Sequence, residues 1–397
     1  MVNKIAIIGQ GYVGLPLAVA ASSAGYKVVG IDSNRDKVTD LNNGLSGIED
    51  LPNSELLASI NSGNYLATSD VSAVSESEAV LICVPTPLDV TNKPDLTLLN
   101  GAVEEVSRYI KPNSLIIIES TVGPGTTKNI ILPIIEKVSK LSRSQFHLAF
   151  SPERIDPTNK TWKVSNTPKL VAGLTDESSE MAVNFYSKFI KTIIKCNSLE
   201  IAETAKLLEN SFRLINISFI NEIAIICNKL GISVQEVIAA ASTKPYGFMP
   251  FYPGIGVGGH CIPVDPIYLA EKARLSDVPA TMIELASKIN NEMPAYFVRR
   301  SEQKLGGLKG KRVLVVGVSY KPNVADVRET PVEALISGLK DKGAQVAWHD
   351  DLVQEWNGEK SVTLSIDFDL AIIATPHDYL DLTKLGDVAI LNAQGSI

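Results

Sequence analysis

The run Lys4-Ile5-Ala6-Ile7-Ile8-Gly9-Gln10-Gly11-Tyr12-Val13-Gly14 decides how the first third of the chain is read. A short apolar run that stops at glycines is the pattern of a buried parallel strand, and a helix is expected to follow through residues 18–24, closed by Gly25. A second strand, Lys27-Val28-Val29-Gly30-Ile31, ends at Asp32, close to the ~20-residue offset between glycines and acid in a dinucleotide-binding βαβ unit. The three glycines then divide the work. Gly9 makes the tight turn, Gly11 lets a pyrophosphate approach, and Gly14 lets helix and strand pack closely. Tyr12 and Val13 sit at the helix start, where amide donors and the helix dipole favour phosphate. An acid at Asp32 accepts from a ribose 2′-hydroxyl and repels a 2′-phosphate, which predicts NAD over NADP. Arg35 and Lys37 are nearby, and Lys37 is counted among the cofactor contacts.

Working outward, residues 79–84 and 114–118 add two more apolar strands and make this a doubly wound α/β domain. Over 199–230 the pattern becomes one long helix with Gly231 placed to end it; a second helix is expected over 234–241, capped by Ser233. Residues 244–254 form a Gly/Pro/aromatic loop unsuited to any element interior. Beyond the glycines at 306–310, residues 311–317 open another α/β unit, with strands at 345–348 and 370–374. The expected architecture is α/β: two Rossmann-like doubly wound α/β domains joined by a central helical domain with a long helix. The expected boundaries are 1–195, 196–305 and 306–397.

Hydrophobic content of 45% and charged content of 20% describe an ordinary globular protein, and a length of 397 residues calls for two or three domains. A net charge of −7 argues against nucleic acid as a partner, though a local pocket on an acidic protein can still be positive. Cys83, Cys196, Cys227 and Cys261 are scattered, and His147, His260, His349 and His377 make no metal-ligand spacing, so no metal and no disulfide framework is expected. The chain runs from Met1 straight into a strand, and its apolar runs are far below the ~20 residues of a membrane span. A cytoplasmic location and no membrane partner are the expectations.

Cys261 stands in Gly-Val-Gly-Gly-His-Cys-Ile-Pro-Val-Asp-Pro, residues 256–266. Oxidising an alcohol to a carbonyl needs a hydride acceptor and a base but no thiol. Going on to the acid usually needs a nucleophile to hold the aldehyde as a thiohemiacetal. Glycines just before Cys261 would leave its sulfur exposed, and Asp265 could steer protons; an inert buried cysteine is the other reading of the loop alone. Lys206 and Asn210 share a helix face, where an ammonium beside an amide suits an oxygen becoming alkoxide-like. A solvated helix face is the alternative reading of that pair.

Seven stretches in order resemble the UDP-glucose/GDP-mannose dehydrogenase family, the nucleotide-sugar 6-dehydrogenases, over essentially the whole chain. They are GQGYVGLPLA at Gly9, CVPTPL at Cys83, ESTVGPGTT at Glu119, SPERIDP at Ser151, AKLLENSFR at Ala205, GVGGHCIPVDP at Gly256 and GVSYKPNVADVRETP at Gly317. Within the family, TKPYGFMPFYPG before GGHCIPVDP, and TPKLVAG after SPERIDPTN, look most like UDP-N-acetylglucosamine 6-dehydrogenases. UDP-N-acetylmannosamine and UDP-glucose dehydrogenases are the alternatives. The resemblance implies two NAD consumed per sugar, Cys261 as nucleophile, and Lys206, Asn210 and Asp265 as its catalytic company. It further implies Glu153 for the water or thioester step, Thr121 at the nicotinamide or a catalytic water, and Pro85, Thr86 and Arg328 as cofactor contacts, Arg328 across a subunit boundary. Arg154, Phe251, Tyr252, Gly258 and Lys321 join Glu153, Lys206 and Asn210 as substrate contacts, and a homodimer or higher homo-oligomer through the long helix is expected. A surface-polymer pathway is where such uronic acids usually go.

One departure stands near the end: Asn392 and Gln394 replace the acid and arginine usual in the family, and the chain stops soon after, which leaves the uridine contacts open. Two other functions compete. A one-step β-hydroxyacid-type dehydrogenase would need neither Cys261 nor a second α/β domain, and a non-catalytic nucleotide binder would carry an unreactive thiol.

Overall fold

Alternation along β1 (Lys4–Ile8) covers the first sheet on both sides. Ile5 and Ile7 join one apolar cluster while Ala6 and Ile8 join another, and Val28 and Val29, Leu81 and Ile82, Ile117 and Ile118 divide the same way. Both clusters are buried, which is why these strands read as unbroken apolar runs. The computed structural model describes residues 2–49, 51–155, 159 and 161–395. The chain divides into two units, Met1–Leu208 and Glu209–Ile397.

In the first unit β1 is followed by β2 (Lys27–Ile31), β3 (Tyr65–Thr68), β4 (Ala79–Ile82), β5 (Leu115–Ile118), β6 (His147–Phe150), β7 (Lys169–Gly173) and β8 (Ile193–Lys195). They form one sheet in the order β3-β2-β1-β4-β5-β6-β7-β8. Every neighbouring pair is parallel except β6 and β7, which run antiparallel. The connecting helices are α1 (Gly14–Ser23), α2 (Arg35–Asn42), α3 (Asn53–Asn61), α4 (Thr97–Ser107), α5 (Leu132–Ser139) and α6 (Asp176–Tyr186). Strand order reverses at β1 and β4, and such a switch point opens a crevice beyond the carboxyl ends of the strands.

The boundary between the units falls inside α7 (Leu199–Leu230). The second unit continues with α8 (Val234–Ser242), whose first turn is capped by the Ser233 hydroxyl accepting from Glu236 N, then α9 (Asp265–Arg274), α10 (Thr281–Leu305) and α11 (Val332–Asp341). Its strands are β9 (Arg312–Val316), β10 (Gln345–His349), β11 (Glu355–Trp356), β12 (Glu359–Lys360), β13 (Leu370–Ile373) and β14 (Ala389–Asn392). β10-β9-β13-β14 form a parallel four-stranded sheet, and β11 and β12 a separate hairpin. Val313 and Val315 pack under α10 and α11, while Leu314 and Val316 face the other side. The expected α/β class and the long helix are both present. The strand expected over 79–84 stops at Ile82: Cys83 N still donates to Ile8 O at 2.8 Å, but there the chain passes close against the Gly9 turn and leaves the sheet, and no helix was expected where α10 lies.

Candidate functional site

At the switch point the three loop glycines have distinct surroundings. Gly9 has φ +86° and a Cβ there would lie 2.6 Å from the Cys83 carbonyl oxygen; a Cβ on Gly14 would overlap the Gly9 carbonyl. Gly11 has nothing within 4 Å. Two glycines therefore serve the turn and its packing, and the third leaves open the space a pyrophosphate backbone would take, at the N-terminus of α1 where Tyr12 and Val13 stand. The cradle fits NAD.

Asp32 is held for its part. Its Oδ2 accepts from Gln10 N and its Oδ1 from Asn34 N, both at 3.0 Å, and Lys37 Nζ stands 3.3 Å from Oδ2. Lys37 is thus the ion-pair partner of Asp32. The Gln10 side chain, which the motif leaves unspecified, is buried: its Nε2 donates to Ile7 O at 2.8 Å and its Oε1 accepts from Tyr65 OH at 2.9 Å. Burial and then the Asp32 charge raise the Tyr65 hydroxyl above its ordinary range, so it stays a donor. Beyond β4 and β5, Thr86 Oγ1 donates to Thr121 O at 2.8 Å and Ser120 Oγ to Val84 O at 2.7 Å. Pro85, Thr86 and Thr121 are thereby brought together at the carboxyl edge of the sheet.

The same edge carries a buried charge cluster. Lys169, first residue of β7 and 5% exposed, places Nζ 2.6 Å from Glu119 Oε2 and 3.4 Å from Glu153 Oε2. Glu119 also accepts from Tyr186 OH, and Glu153 Oε1 accepts from the amides of Arg154 at 2.6 Å and Ile155 at 2.8 Å. The ion pair of Glu153 is therefore made with Lys169, while Arg154 reaches Pro168 O at 2.8 Å. Burial alone would raise Glu153; Lys169, the two amides and Lys206 outweigh it and hold the carboxyl below its ordinary value. Burial wins at Glu119 and raises it, despite Lys169. Lys169 itself is raised: the Glu119 and Glu153 charges overcome the cost of burial. Removing one partner of such a cluster costs roughly 3–5 kcal/mol, because the other charge is left buried and unpaired. Glu203 on α7 accepts from Gly125 N at 2.5 Å and Thr127 N at 2.9 Å, which ties the loop after Thr121 to this helix; Lys206, one turn on, is likewise buried.

In the second unit Cys261 is exposed on a loop held from several sides. Its carbonyl accepts from Val264 N at 3.3 Å and Asp265 N at 2.9 Å as α9 begins. Asp265 is 3% exposed, and its Oδ2 accepts from Asn210 Nδ2 at 2.6 Å, so α7 and α9 meet through a buried side-chain bond. Asn290 accepts from Val257 N at 2.6 Å, and Gly259 N donates to Arg328 O at 3.1 Å. A Cβ on Gly258 would lie 2.5 Å from Glu329 O and 2.9 Å from Tyr320 Cβ. The glycines before Cys261 are thus demanded by close packing on the 320–331 segment. Phe251 packs edge-on to Phe212 at 5.9 Å, and Tyr252 is exposed.

The second parallel sheet repeats the turn chemistry of the first. Gly317 follows β9 at φ +82°, and a Cβ there would overlap Thr375 O. Asp350 after β10 accepts from Val318 N at 2.9 Å, the counterpart of Asp32 accepting from Gln10 N. His377 Nδ1 accepts from Asn323 N at 2.9 Å, so its Nε2 carries the proton donated to Asp350 Oδ2 at 3.1 Å. The Lys321 carbonyl accepts from Ser319 Oγ at 3.1 Å, which fixes the backbone of the Tyr-Lys-Pro turn. Arg328 forks onto Asp326, with Nε at 2.9 and 3.0 Å from its two oxygens. Among the described residues no group of three or more His, Cys, Asp or Glu could hold a metal ion, and no helix is long and apolar enough to cross a membrane.

An open glycine cradle at the switch point of a doubly wound sheet, with an exposed thiol on a clamped loop elsewhere in the chain, describes an NAD-dependent oxidoreductase. The chain belongs to the UDP-glucose/GDP-mannose dehydrogenase family: residues 3–190 match its NAD-binding domain, 200–292 its central domain and 314–394 its UDP-binding domain. A UDP-N-acetyl-D-glucosamine 6-dehydrogenase of Pseudomonas aeruginosa is 36% identical over 89% of this chain and 83% of its own length. A UDP-N-acetyl-D-mannosamine dehydrogenase of Methanococcus maripaludis is 34% identical over 98% and 89%. The solved structure of a UDP-D-ManNAc dehydrogenase from Pyrococcus horikoshii superposes with a TM-score of 0.90 at 30% identity, over 98% of this chain and 95% of that one. The chain is an NAD-dependent UDP-sugar 6-dehydrogenase.

Proposed function

We propose that this enzyme oxidises the C6 hydroxyl of a UDP-N-acetylhexosamine, UDP-N-acetylglucosamine above others, to the uronic acid through a covalent intermediate on Cys261. The observation that carries this reading is the exposed thiol on a loop whose backbone is fixed at Val257, Gly259 and Cys261. Bound NAD supplies hydride acceptance, once from the alcohol and, after exchange, once from the thiohemiacetal.

The chain's own residues have separate roles. The Lys206 ammonium and Asn210 amide stabilise the C6 oxygen as it becomes alkoxide-like. Cys261 sulfur attacks the aldehyde carbon to form the thiohemiacetal, with Asp265 holding the proton traffic. Loss of the second hydride leaves a thioester; water adds to its carbonyl, giving one proton to Glu153, and the C–S bond breaks to release the Cys261 thiolate and the carboxylic acid, which loses its proton to solvent. Thr121 orients a catalytic water or the nicotinamide. Gly11, Tyr12, Val13, Asp32, Pro85 and Thr86 hold the cofactor, with Arg328 offered to cofactor phosphate. Arg154, Phe251, Tyr252, Gly258 and Lys321 bind the sugar nucleotide. This assigns NAD binding to 1–195, the thiol to 196–305 and the nucleotide to 306–397.

Support for the glucosamine configuration comes from the TKPYGFMPFYPG and GGHCIPVDP stretches and from the Pseudomonas aeruginosa relative. The mannosamine reading draws on the Methanococcus maripaludis and Pyrococcus horikoshii proteins. A homodimer through α7 is supported by Phe212, Phe219, Ile226 and Leu230, large apolar side chains exposed at seven- and four-residue spacings along it. We place the enzyme in the cytoplasm, feeding surface-polysaccharide synthesis.

The test compares kcat/KM for UDP-N-acetylglucosamine, UDP-N-acetylmannosamine and UDP-glucose, with uronic acid identified as product. A preference of about tenfold or more for the first is expected. A preference for the second assigns the other configuration, and equal turnover of UDP-glucose removes the N-acyl group from the specificity.

A further inference from the structure

We infer that Lys169 is a positioning residue for the hydrolytic half of the reaction, gripped by Glu119 so that it can hold Glu153 as a fixed carboxylate facing water. The inference rests on the proposed role of Glu153.

The fold delivers Lys169 by an unusual route. β6 and β7 are the one antiparallel pair of an otherwise parallel sheet, so β7 begins, as β8 beside it does, at the carboxyl edge where β1 to β6 end. The register pairs Phe150 with Ala172, and counting three residues onward on one strand and three back on the other sets Glu153 opposite Lys169. A parallel β7 would put its first residue at the far edge of the sheet.

Its charge arrangement is asymmetric. Glu119 takes the close contact, 2.6 Å, and is itself anchored by Tyr186 OH; Glu153 takes the loose one, 3.4 Å. Lys169 also reaches the Pro152 carbonyl at 3.3 Å, which fixes the peptide just before Glu153. The backbone amides of Arg154 and Ile155 occupy Glu153 Oε1, so the loosely held Oε2 keeps room to take a proton from water. The charged and titratable groups facing Glu153 are Lys169 from β7, Glu119 after β5, Lys206 from α7 and the half-buried Cys83 thiol after β4, with Tyr186 of α6 behind Glu119. Two ammoniums balance two carboxylates, and deleting Lys169 leaves a net negative charge around Glu153.

The test uses full-length Lys169→Met, Lys169→Arg, Glu119→Gln and Glu153→Gln beside wild type. After mixing with NAD and the UDP-sugar, intact mass reads the adduct on Cys261, and acid release is followed across pH. Lys169→Met is expected to accumulate the adduct and to release acid about tenfold more slowly with KM for sugar nearly unchanged, its acidic limb moved up by about one pH unit. Lys169→Arg should restore most of the rate. Glu119→Gln, which removes a negative neighbour, should move that limb down or leave it in place.

A folded Lys169→Met enzyme with no adduct and an unmoved limb overturns the inference. Should that variant fail to fold, a limb that rises in Glu119→Gln overturns it just as well. Glu153→Gln separates the two layers: acid release at the wild-type rate sinks the role of Glu153 itself. Slow release there, with wild-type behaviour in Lys169→Met, sinks only the role of Lys169.

Discussion

Asn210 Nδ2 lies 2.6 Å from Asp265 Oδ2, and this buried bond joins the long helix α7 to the helix that starts four residues after Cys261. The carboxylate next to the thiol loop is therefore oriented from α7 as well as by its own helix. Asn210→Ala removes the donor and leaves a buried acceptor with less company. We expect a loss of about 1–3 kcal/mol in unfolding free energy and about a hundredfold fall in kcat, measured by urea denaturation and steady-state NADH formation. Wild-type kcat in the variant would contradict the assignment.

The contrast between Gly11 and Gly14 separates binding from folding. Gly14→Ala would drive a Cβ into the Gly9 carbonyl, so its melting temperature should fall by several degrees, as about 2 kcal/mol of strain would cause. Gly11→Ala meets no protein atom and should melt like wild type, yet bind NAD at least about tenfold more weakly, read by calorimetry. Equal NAD affinity in Gly11→Ala would show that the open space is not the pyrophosphate path.

Close packing of the thiol loop makes Gly258 a sensitive position. A methyl there meets Glu329 O, Tyr320 Cβ and Pro331 Cδ, and backbone or a ring must move. Gly258→Ala should keep its NAD affinity while turnover falls about a hundredfold and the alkylation rate of Cys261 changes. Unaltered turnover would mean that the loop relaxes without consequence.

Acid stability should report on Asp350. Burial would raise its carboxyl, but the His377 bond and the Val318 amide outweigh that and hold it below the ordinary aspartate value. Because the folded value is the lower one, the stabilisation is present at neutral pH and is lost as pH falls below about 3.9. Asp350→Asn should be less stable than wild type at pH 7, and the gap should narrow toward pH 3 when unfolding is followed by circular dichroism. A gap that stays constant with pH would contradict the depressed carboxyl.

Much of the fold was legible because buried parallel strands announce themselves as short unbroken apolar runs. β1, β2, β5 and β9 lie where those runs predicted, and α7 ends just before Gly231. β3 was not legible: four residues, Tyr-Leu-Ala-Thr, with Leu66 exposed, carry too little pattern. α10 was hidden by Pro294 and by its many charged and polar residues; Asn290, whose carbonyl the proline leaves without its helical donor, is the residue that clamps Val257. Motif reading brought out Glu153, Lys206, Asn210, Cys261 and Asp265, yet passed over Lys169 and Glu119. Their signal was a charge flush against an apolar strand, Glu after Leu-Ile-Ile-Ile and Lys before Leu-Val-Ala-Gly. Its meaning depends on β7 running backward, which no local pattern reveals.

The most direct measurement counts NADH formed per UDP-N-acetylhexosamine consumed, with sugar limiting and NAD in excess. The Cys261 route predicts two NADH per sugar and a uronic acid product, with acid formation lost in Cys261→Ala. One NADH per sugar and an aldehyde product, or two NADH per sugar from Cys261→Ala at the wild-type rate, would contradict it.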